Sequence, residues 1–272
     1  MRVSLVLITL ASVAMVLSTP ARAHEFWIEP VAYEVAPGAP LIAHIRVGEE
    51  FKGPSSTFLP RSFTAFFVNT PLGRVAVESN LGDTPVLDQR VPADGLATIV
   101  YVTGNSTLTY PDLAKFERFL THKDALWVLD QHAARGLPEE KFREIYSRYA
   151  KSLVNLGPDG GQDSPFGLVT EIVAEANPYT DDLSTGFPIQ VLYEGAPRPD
   201  AQVEVFEKSP GGSVDVTLTR TDSDGRVRIP VKPGHSYLLD AVVLREPPAA
   251  LAEARDVVWE SLWASLTFGV PD

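Results

Sequence analysis

Leu41-Ile42-Ala43-His44-Ile45-Arg46-Val47 is the stretch on which the fold reading turns. Leu41, Ala43, Ile45 and Val47 alternate with Ile42, His44 and Arg46, and a period of two places the first set on one face of a β-strand. His44 then points to the other face, where a partly exposed sheet histidine is the ordinary outcome. Working outward, the same character recurs. Arg61 to Val68, Arg74 to Val77 and Ala97 to Val102 are β-branched or aromatic runs. Ala36-Pro37-Gly38, Pro71-Leu72-Gly73 and Ala93-Asp94-Gly95 punctuate them as turns. Residues 24–110 are predicted to form an N-terminal antiparallel β-sandwich.

The pattern changes after residue 110. Pro111-Asp112 can open a helix, with Phe116, Phe119 and Leu120 recurring at helical spacing. Leu126, Leu129 and Ala133 recur similarly before Gly136. Leu137-Pro138-Glu139-Glu140 is a second start signal, with proline in the first turn and acids near the positive helix end. Phe142, Ile145, Tyr149 and Leu153 follow as an apolar stripe. Residues 111–160 are predicted as a helical insertion of two or three helices, closed by the loop Gly157-Pro158-Asp159-Gly160-Gly161. Residues 161–272 return to strands, among them Leu168–Ala174, Gln202–Glu207, Val214–Thr219, Tyr237–Leu244 and Val258–Phe268. Thr221-Asp222-Ser223-Asp224-Gly225-Arg226 is a turn between strands. The expected fold class is mainly β: two immunoglobulin- or transthyretin-like antiparallel β-sandwich regions with an α-helical insertion between them. Whether the two regions pack as one unit stays open.

Residues 1–23 have the three parts of a secretory signal: Arg2, an apolar run from Val3 to Leu17, then Pro20 and the small-x-small site Ala21-Arg22-Ala23. The run is shorter than the roughly 20 residues a spanning helix needs, and an uncleaved anchor is the alternative. Cleavage after Ala23 is expected to deliver a soluble mature chain to the periplasm. It removes Arg2 and Arg22 and no acid, so a formal net charge of -12 becomes -14. Such a chain is a poor partner for nucleic acid or an anionic membrane. The absence of cysteine excludes disulfides, thiolate metal sites and cysteine nucleophiles.

The sequence has no P-loop, dinucleotide glycine fingerprint, His-Glu-x-x-His or Gly-x-Ser-x-Gly. The chain is therefore expected not to be an enzyme. Asp222-Ser223-Asp224-Gly225 has half of a calcium loop without its later ligands, so the turn reading holds. Of five histidines, His122 and His132 lie ten apart and share no helix face, which reads as solvated helix positions. His235 follows Pro233-Gly234 as a turn residue.

His24 differs because cleavage would give it a free α-amino group beside its imidazole. Two such nitrogens can chelate one ion, and the amine's reference pKa of about 7.7–8.0 lets metal compete with its proton near neutral pH. A second imidazole would complete a three-nitrogen brace. Nitrogen ligands suit Cu(II) and Ni(II). A cut that merely falls before a histidine is the plain alternative.

Ala23-His24-Glu25-Phe26-Trp27-Ile28-Glu29-Pro30 resembles the start of a bacterial family of exported proteins of unknown function, described as nickel-uptake-transporter-like (NikM-type) or as periplasmic components of cobalt/nickel transport. Val47 to Gly53, Tyr146 to Lys151 and Trp259 to Phe268 extend the resemblance along the mature chain. Glu194 to Val203, Thr221 to Arg226 and Gly234 to Leu238 are similar to carboxypeptidase-regulatory-like β-sandwich modules, which are usually non-catalytic. The resemblance implies transition-metal handling and a membrane transporter component as partner; taken with the nitrogen donors of His24, the expected bound ion is Ni, Co or Cu. Only His24 carries over as a ligand. His44 is the choice for a second ligand, with Glu49 and His235 in reserve. The competing expectation is a metal-free scaffold or adhesion module that binds protein or glycan through exposed aromatics such as Trp27.

Overall fold

The computed structural model describes residues 25–158 and 160–272. The signal-peptide reading and His24 lie outside the described residues. In chain order the elements are β1 (Glu25–Pro30), β2 (Glu34–Val35), β3 (Pro40–Gly48), β4 (Phe63–Thr70), β5 (Gly73–Ala76), β6 (Leu87–Arg90), β7 (Gly95–Thr103) and β8 (Ser106–Tyr110). Then come α1 (Leu113–His122), α2 (Trp127–Ala134), β9 (Phe142–Leu156), β10 (Thr170–Ala174), β11 (Phe187–Tyr193), β12 (Ala196–Pro197) and β13 (Gln202–Lys208). The chain finishes with β14 (Val214–Arg220), β15 (Arg226–Ile229), β16 (Ser236–Arg245), α3 (Ala249–Arg255) and β17 (Trp259–Gly269).

The fold is mainly β and sandwich-like, built on one ten-stranded sheet ordered β14-β13-β16-β17-β9-β7-β4-β5, with β2 and β8 also pairing with β9. Its middle is β9, the longest strand. One side of β9 holds β17 in parallel register and then β2, and the other side holds β8 and then β7. The register chain Leu218–Glu204–Asp240 and Val242–Trp263–Arg148 sets these residues on one face. The sheet β1-β3-β6 covers part of that face, and α1 and α2 cover another part. The sheet of β10, β11, β12 and β15 covers the opposite face.

Two sandwich cores therefore share a central layer. On the first face, Phe26, Ile28, Leu41, Ala43 and Ile45 pack on Phe66, Val68, Ile99, Ala150 and Val154. On the second, Ile172, Phe187, Ile189 and Val191 pack on Val205, Leu239, Leu266, Phe268 and Leu153. Adjacent β9 residues serve different cores, which joins the two β regions through a continuous sheet. A third cluster seats Phe116, Phe119, Leu120 and Val128 of the helices against Val242, Leu244, Trp259 and Trp263. Each such side chain gains roughly 1.5–3 kcal/mol from full burial.

The first helix is as expected, with Asp112 as its cap: the carboxylate accepts from Lys115 N at 2.7 Å. The third expected helix is corrected. Phe142–Leu156 is a strand. A strand covered on both faces has apolar residues on both, so its apolar spacing loses the period of two. The gaps from Phe142 to Ile145 to Tyr149 happen to imitate a helix. His132 also departs from its solvated reading. It is buried, takes Trp259 Nε1–H on Nδ1 at 3.0 Å and pairs through Nε2 with Pro138 O at 2.9 Å. The turn at 221–226 is present, with Asp222 Oδ1 accepting from Asp224 N and Arg226 N, both at 2.9 Å. It carries the chain from the central sheet to β15, which pairs with β11 in the other layer.

Candidate functional site

The sequence HEFWIEP leads into β1, the buried strand whose register sets Glu25 opposite Gly48. The next loop explains Val47-Gly48-Glu49-Glu50-Phe51-Lys52-Gly53. Its backbone folds on itself, with Glu49 N bonded to Lys52 O at 3.0 Å and Lys52 N to Glu49 O at 2.9 Å. A Cβ at Gly48 would stand 1.9 Å from Lys52 O, and one at Gly53 2.1 Å from Val47 O, so only glycine permits the crossing. Phe51 then packs edge-on against Trp27 at 5.5 Å between ring centroids. The loop buttresses the beginning of β1.

Glu25 projects into the place where α1 ends over the central sheet. Lys123 follows His122 at the helix terminus, and its side chain is 1% exposed. Its Nζ lies 2.8 Å from Glu204 Oε1 on β13, 3.1 Å from Asp240 Oδ2 on β16 and 3.9 Å from Glu25 Oε1. It also sits 4.7 Å from the centroid of the Trp263 ring. Arg148 lies beside the cluster, with its guanidinium 4.8 Å from the Tyr146 centroid and 5.5 Å from that of Phe26. His122 stands at the solvent rim, its Nε2 3.6 Å from Glu204 Oε2, while Gln202 Nε2–H donates to His122 O at 2.9 Å.

Three carboxyl groups thus surround one ammonium. Burial pushes Glu25 up to about 8, only partly offset by Lys123, and pushes Asp240 up to about 6. Glu204 is raised by burial as well. Burial pulls Lys123 down, yet the Asp240 and Glu204 carboxylates outweigh it and hold the ammonium above its usual range. Among the described residues, Glu25 Oε2 and Glu204 Oε2 are buried and accept no hydrogen bond. Arg148 adds a second positive charge that holds Asp240 down, so the cluster's remaining tendency, set by burial, is to keep a proton or take a cation at Glu25.

Of the residues singled out in the sequence, Glu49 lies next to Gly48 and so at the start of β1, in the tight turn. His44 sits opposite Glu29, four residues further along the strand and about 13 Å from Glu25. Its Nδ1 meets Ser55 Oγ at 3.2 Å. Beside it Glu29 pairs with Arg46 and, at 3.1 Å, with Lys208, so two cations already occupy that carboxylate. His235 meets Glu207 Oε1 through Nδ1 at 2.9 Å, about five residues or 16 Å from Asp240 along the chain. The structure brings neither His44 nor His235 to Glu25. It brings His122, Lys123, Glu204 and Asp240 instead. Nothing in the sequence marks these, because Lys123 and its partners are 81 and 117 residues apart.

Two other buried polar groups are internally satisfied. Lys151 bridges Asp163 at 2.6 Å and Glu171 at 3.0 Å, while Asp163 accepts from Ala174 N and Glu171 from Phe166 N. This triad straps the loop after Gly161 to β9. Glu144 accepts from Tyr110 Oη at 2.6 Å and from Ser261, whose Oγ takes Trp263 Nε1–H at 2.9 Å. Burial pushes Glu144 up to about 7.

Residues 21–245 match the model of the family described as Domain of unknown function (DUF4198). The chain belongs to the DUF4198 family. The matched range holds Glu25, His122, Lys123, Glu204 and Asp240 of the cluster. No curated protein matches the chain. Among solved structures, a tetra-tandem repeat from the extending region of a large adhesion protein has 9% identity and a TM-score of 0.20, covering 90% of this chain and 49% of its own. The Yersinia pseudotuberculosis adhesin InvE has 9% identity and a TM-score of 0.20, covering 91% and 59%. This chain thus spans roughly half the length of each. Likeness at that level carries no argument about what this DUF4198 protein does.

Proposed function

We propose that the mature protein is a periplasmic binder of a divalent transition metal, nickel, cobalt or copper, for uptake or homeostasis. His24 anchors the ion through its α-amine and imidazole, with His122 as the further imidazole and Glu204 beside it. The observation that carries this reading is the buried carboxylate cluster at Glu25, the residue bonded directly to His24, in which Glu25 Oε2 and Glu204 Oε2 accept no hydrogen bond among the described residues. His122 Nε2 and Glu204 Oε2 are 3.6 Å apart, and two donors each about 2 Å from one ion stand about 3–4 Å apart. Among the described residues no three His, Asp or Glu side chains gather to hold a metal, so the centre depends on the donors of residue 24. Of the ligands considered from sequence, Glu49 remains in reserve by its place at the start of β1. The NikM-type resemblance supports delivery to a membrane transporter component, and among the described residues no helix is long and apolar enough to cross a membrane.

The test is calorimetric titration with Cu(II) and Ni(II). A protein beginning at His24 should bind one equivalent. One extra residue ahead of His24, or His122→Ala, should weaken binding at least tenfold, whereas His44→Ala and His235→Ala should leave it unchanged. Equal affinity in all five forms contradicts the proposed centre, and no stoichiometric binding in any form contradicts metal handling.

A further inference from the structure

β14 closes one side of the ten-stranded sheet, and among the described residues its only strand partner is β13. Among the described residues it is the longest strand at any sheet edge. Edge strands are commonly blunted by proline, lysine, a bulge or brevity. Val214-Asp215-Val216-Thr217-Leu218-Thr219-Arg220 has no proline, lysine or bulge, its only charges are Asp215 and Arg220, and its seven pairs with β13 run without a register shift. The opposite edge, β5, has only four residues.

The direction of the free backbone groups follows from the two ends of the β13–β14 ladder. Ser209 N bonds to Ser213 O at 2.9 Å, and Thr221 N bonds to Ala201 O at 3.0 Å. Antiparallel pairs alternate between bonded and non-bonded. Both ends agree that Thr217 bonds to Val205 across the ladder. The N–H and C=O of Val214, Val216, Leu218 and Arg220 therefore point away from β13. The side chains of these four share the face of Glu204 and Phe206, where Val216 is 45% and Leu218 61% exposed.

We propose that this edge is an interface for a second copy of the chain, added antiparallel about a two-fold axis through Thr217. That register is the one that uses all seven residues. Val216 meets the partner's Leu218, and Val214 meets the partner's Arg220. These are the residues whose free N–H and C=O groups point outward, so each pair exchanges two hydrogen bonds. The same register sets Val216 and Leu218 side by side across the axis and covers both. The only charges on the strand, Asp215 and Arg220, face the partner's Thr219 and the partner's Val214, so no like charges oppose. A patch complementary to itself is what a two-fold interface requires. The chain's net charge of -12 opposes association of copies, and salt screens that repulsion over about 8–10 Å. Self-pairing through β14 thus tightens as salt rises. A basic extended segment of another protein docking on the same edge would show the reverse.

Sedimentation of the mature protein at about 0.02 M and about 0.5 M NaCl tests this. A monomer–dimer equilibrium is expected that is tighter at the higher salt, with Leu218→Lys weakening it at least tenfold. The chain has no cysteine, which makes a second readout clean. Two opposed residues of a non-bonded pair have Cα atoms about 4.5 Å apart, within the range of about 4.4–6.8 Å that a disulfide spans. Thr217→Cys should therefore form a reducible covalent dimer under mild oxidation. Thr219→Cys, offset from its counterpart by four residues or about 13 Å, should stay monomeric. A monomer at both salts, or cross-linking of Thr219→Cys as readily as Thr217→Cys, overturns the proposal.

Discussion

Lys123 is the residue on which the site's electrostatics hang. Its ammonium lies 2.8 Å from Glu204, 3.1 Å from Asp240 and 3.9 Å from Glu25, and its own burial is tolerable only because they surround it. Lys123→Met keeps the volume and removes the charge. Stranding buried carboxylates in this way costs about 3–5 kcal/mol, so urea unfolding at neutral pH should show a sharply lower midpoint. An unchanged midpoint would mean that the carboxyls are already neutral. Glu144 gives a pH signature of its own. Burial raises it from 4.5 to about 7 in the folded protein. Between those values the folded state holds a proton that the unfolded state has released, so stability falls as pH rises from about 4.5 to about 7. The Glu144 contribution levels off above that window, while Glu25, raised from 4.5 to about 8, extends the fall to about pH 8. Glu144→Gln should make this slope shallower, leaving the part due to Asp240 and Glu25, in thermal melts recorded across the window, and an identical slope in the variant would refute the assignment.

At the scale of elements, Gly48 is the sharpest case. An added Cβ there meets the Lys52 carbonyl oxygen at 1.9 Å. Forcing such a contact costs about 1–3 kcal/mol, and it also loosens Phe51 from Trp27. Gly48→Ala is expected to lower the melting temperature measured by circular dichroism, and an unchanged value would show that the loop has room. The elements differ in how far the sequence discloses them. β3 is legible because one face is buried and the other is not, so Leu41, Ala43 and Ile45 stand out against His44 and Arg46. Asp112 marks the start of α1 by a local hydrogen bond that any sequence window contains. β9 is opaque because both faces are covered, and Glu144, Ser147 and Lys151 on it are buried among partners distant in sequence. The expected helix there fails for that reason.

For the whole molecule, the expected mainly-β sandwich character is present, but the sharing of one sheet by two cores is set by strand pairings such as β9 with β17, which no local pattern encodes. The candidate site has the same origin. His24, at the expected cleavage site, can be read from a motif, whereas His122, Glu204 and Asp240 meet only because α1, β13 and β16 converge on Glu25. The central claim is that one metal ion is held where those elements meet residue 24. The most direct test is an anomalous-scattering map from crystals of the protein beginning at His24 and loaded with one equivalent of Ni(II) or Cu(II). A single peak is expected about 2 Å from the His24 α-nitrogen, a His24 imidazole nitrogen and His122 Nε2. A peak at His44 or His235, or no peak near Glu25, would contradict it.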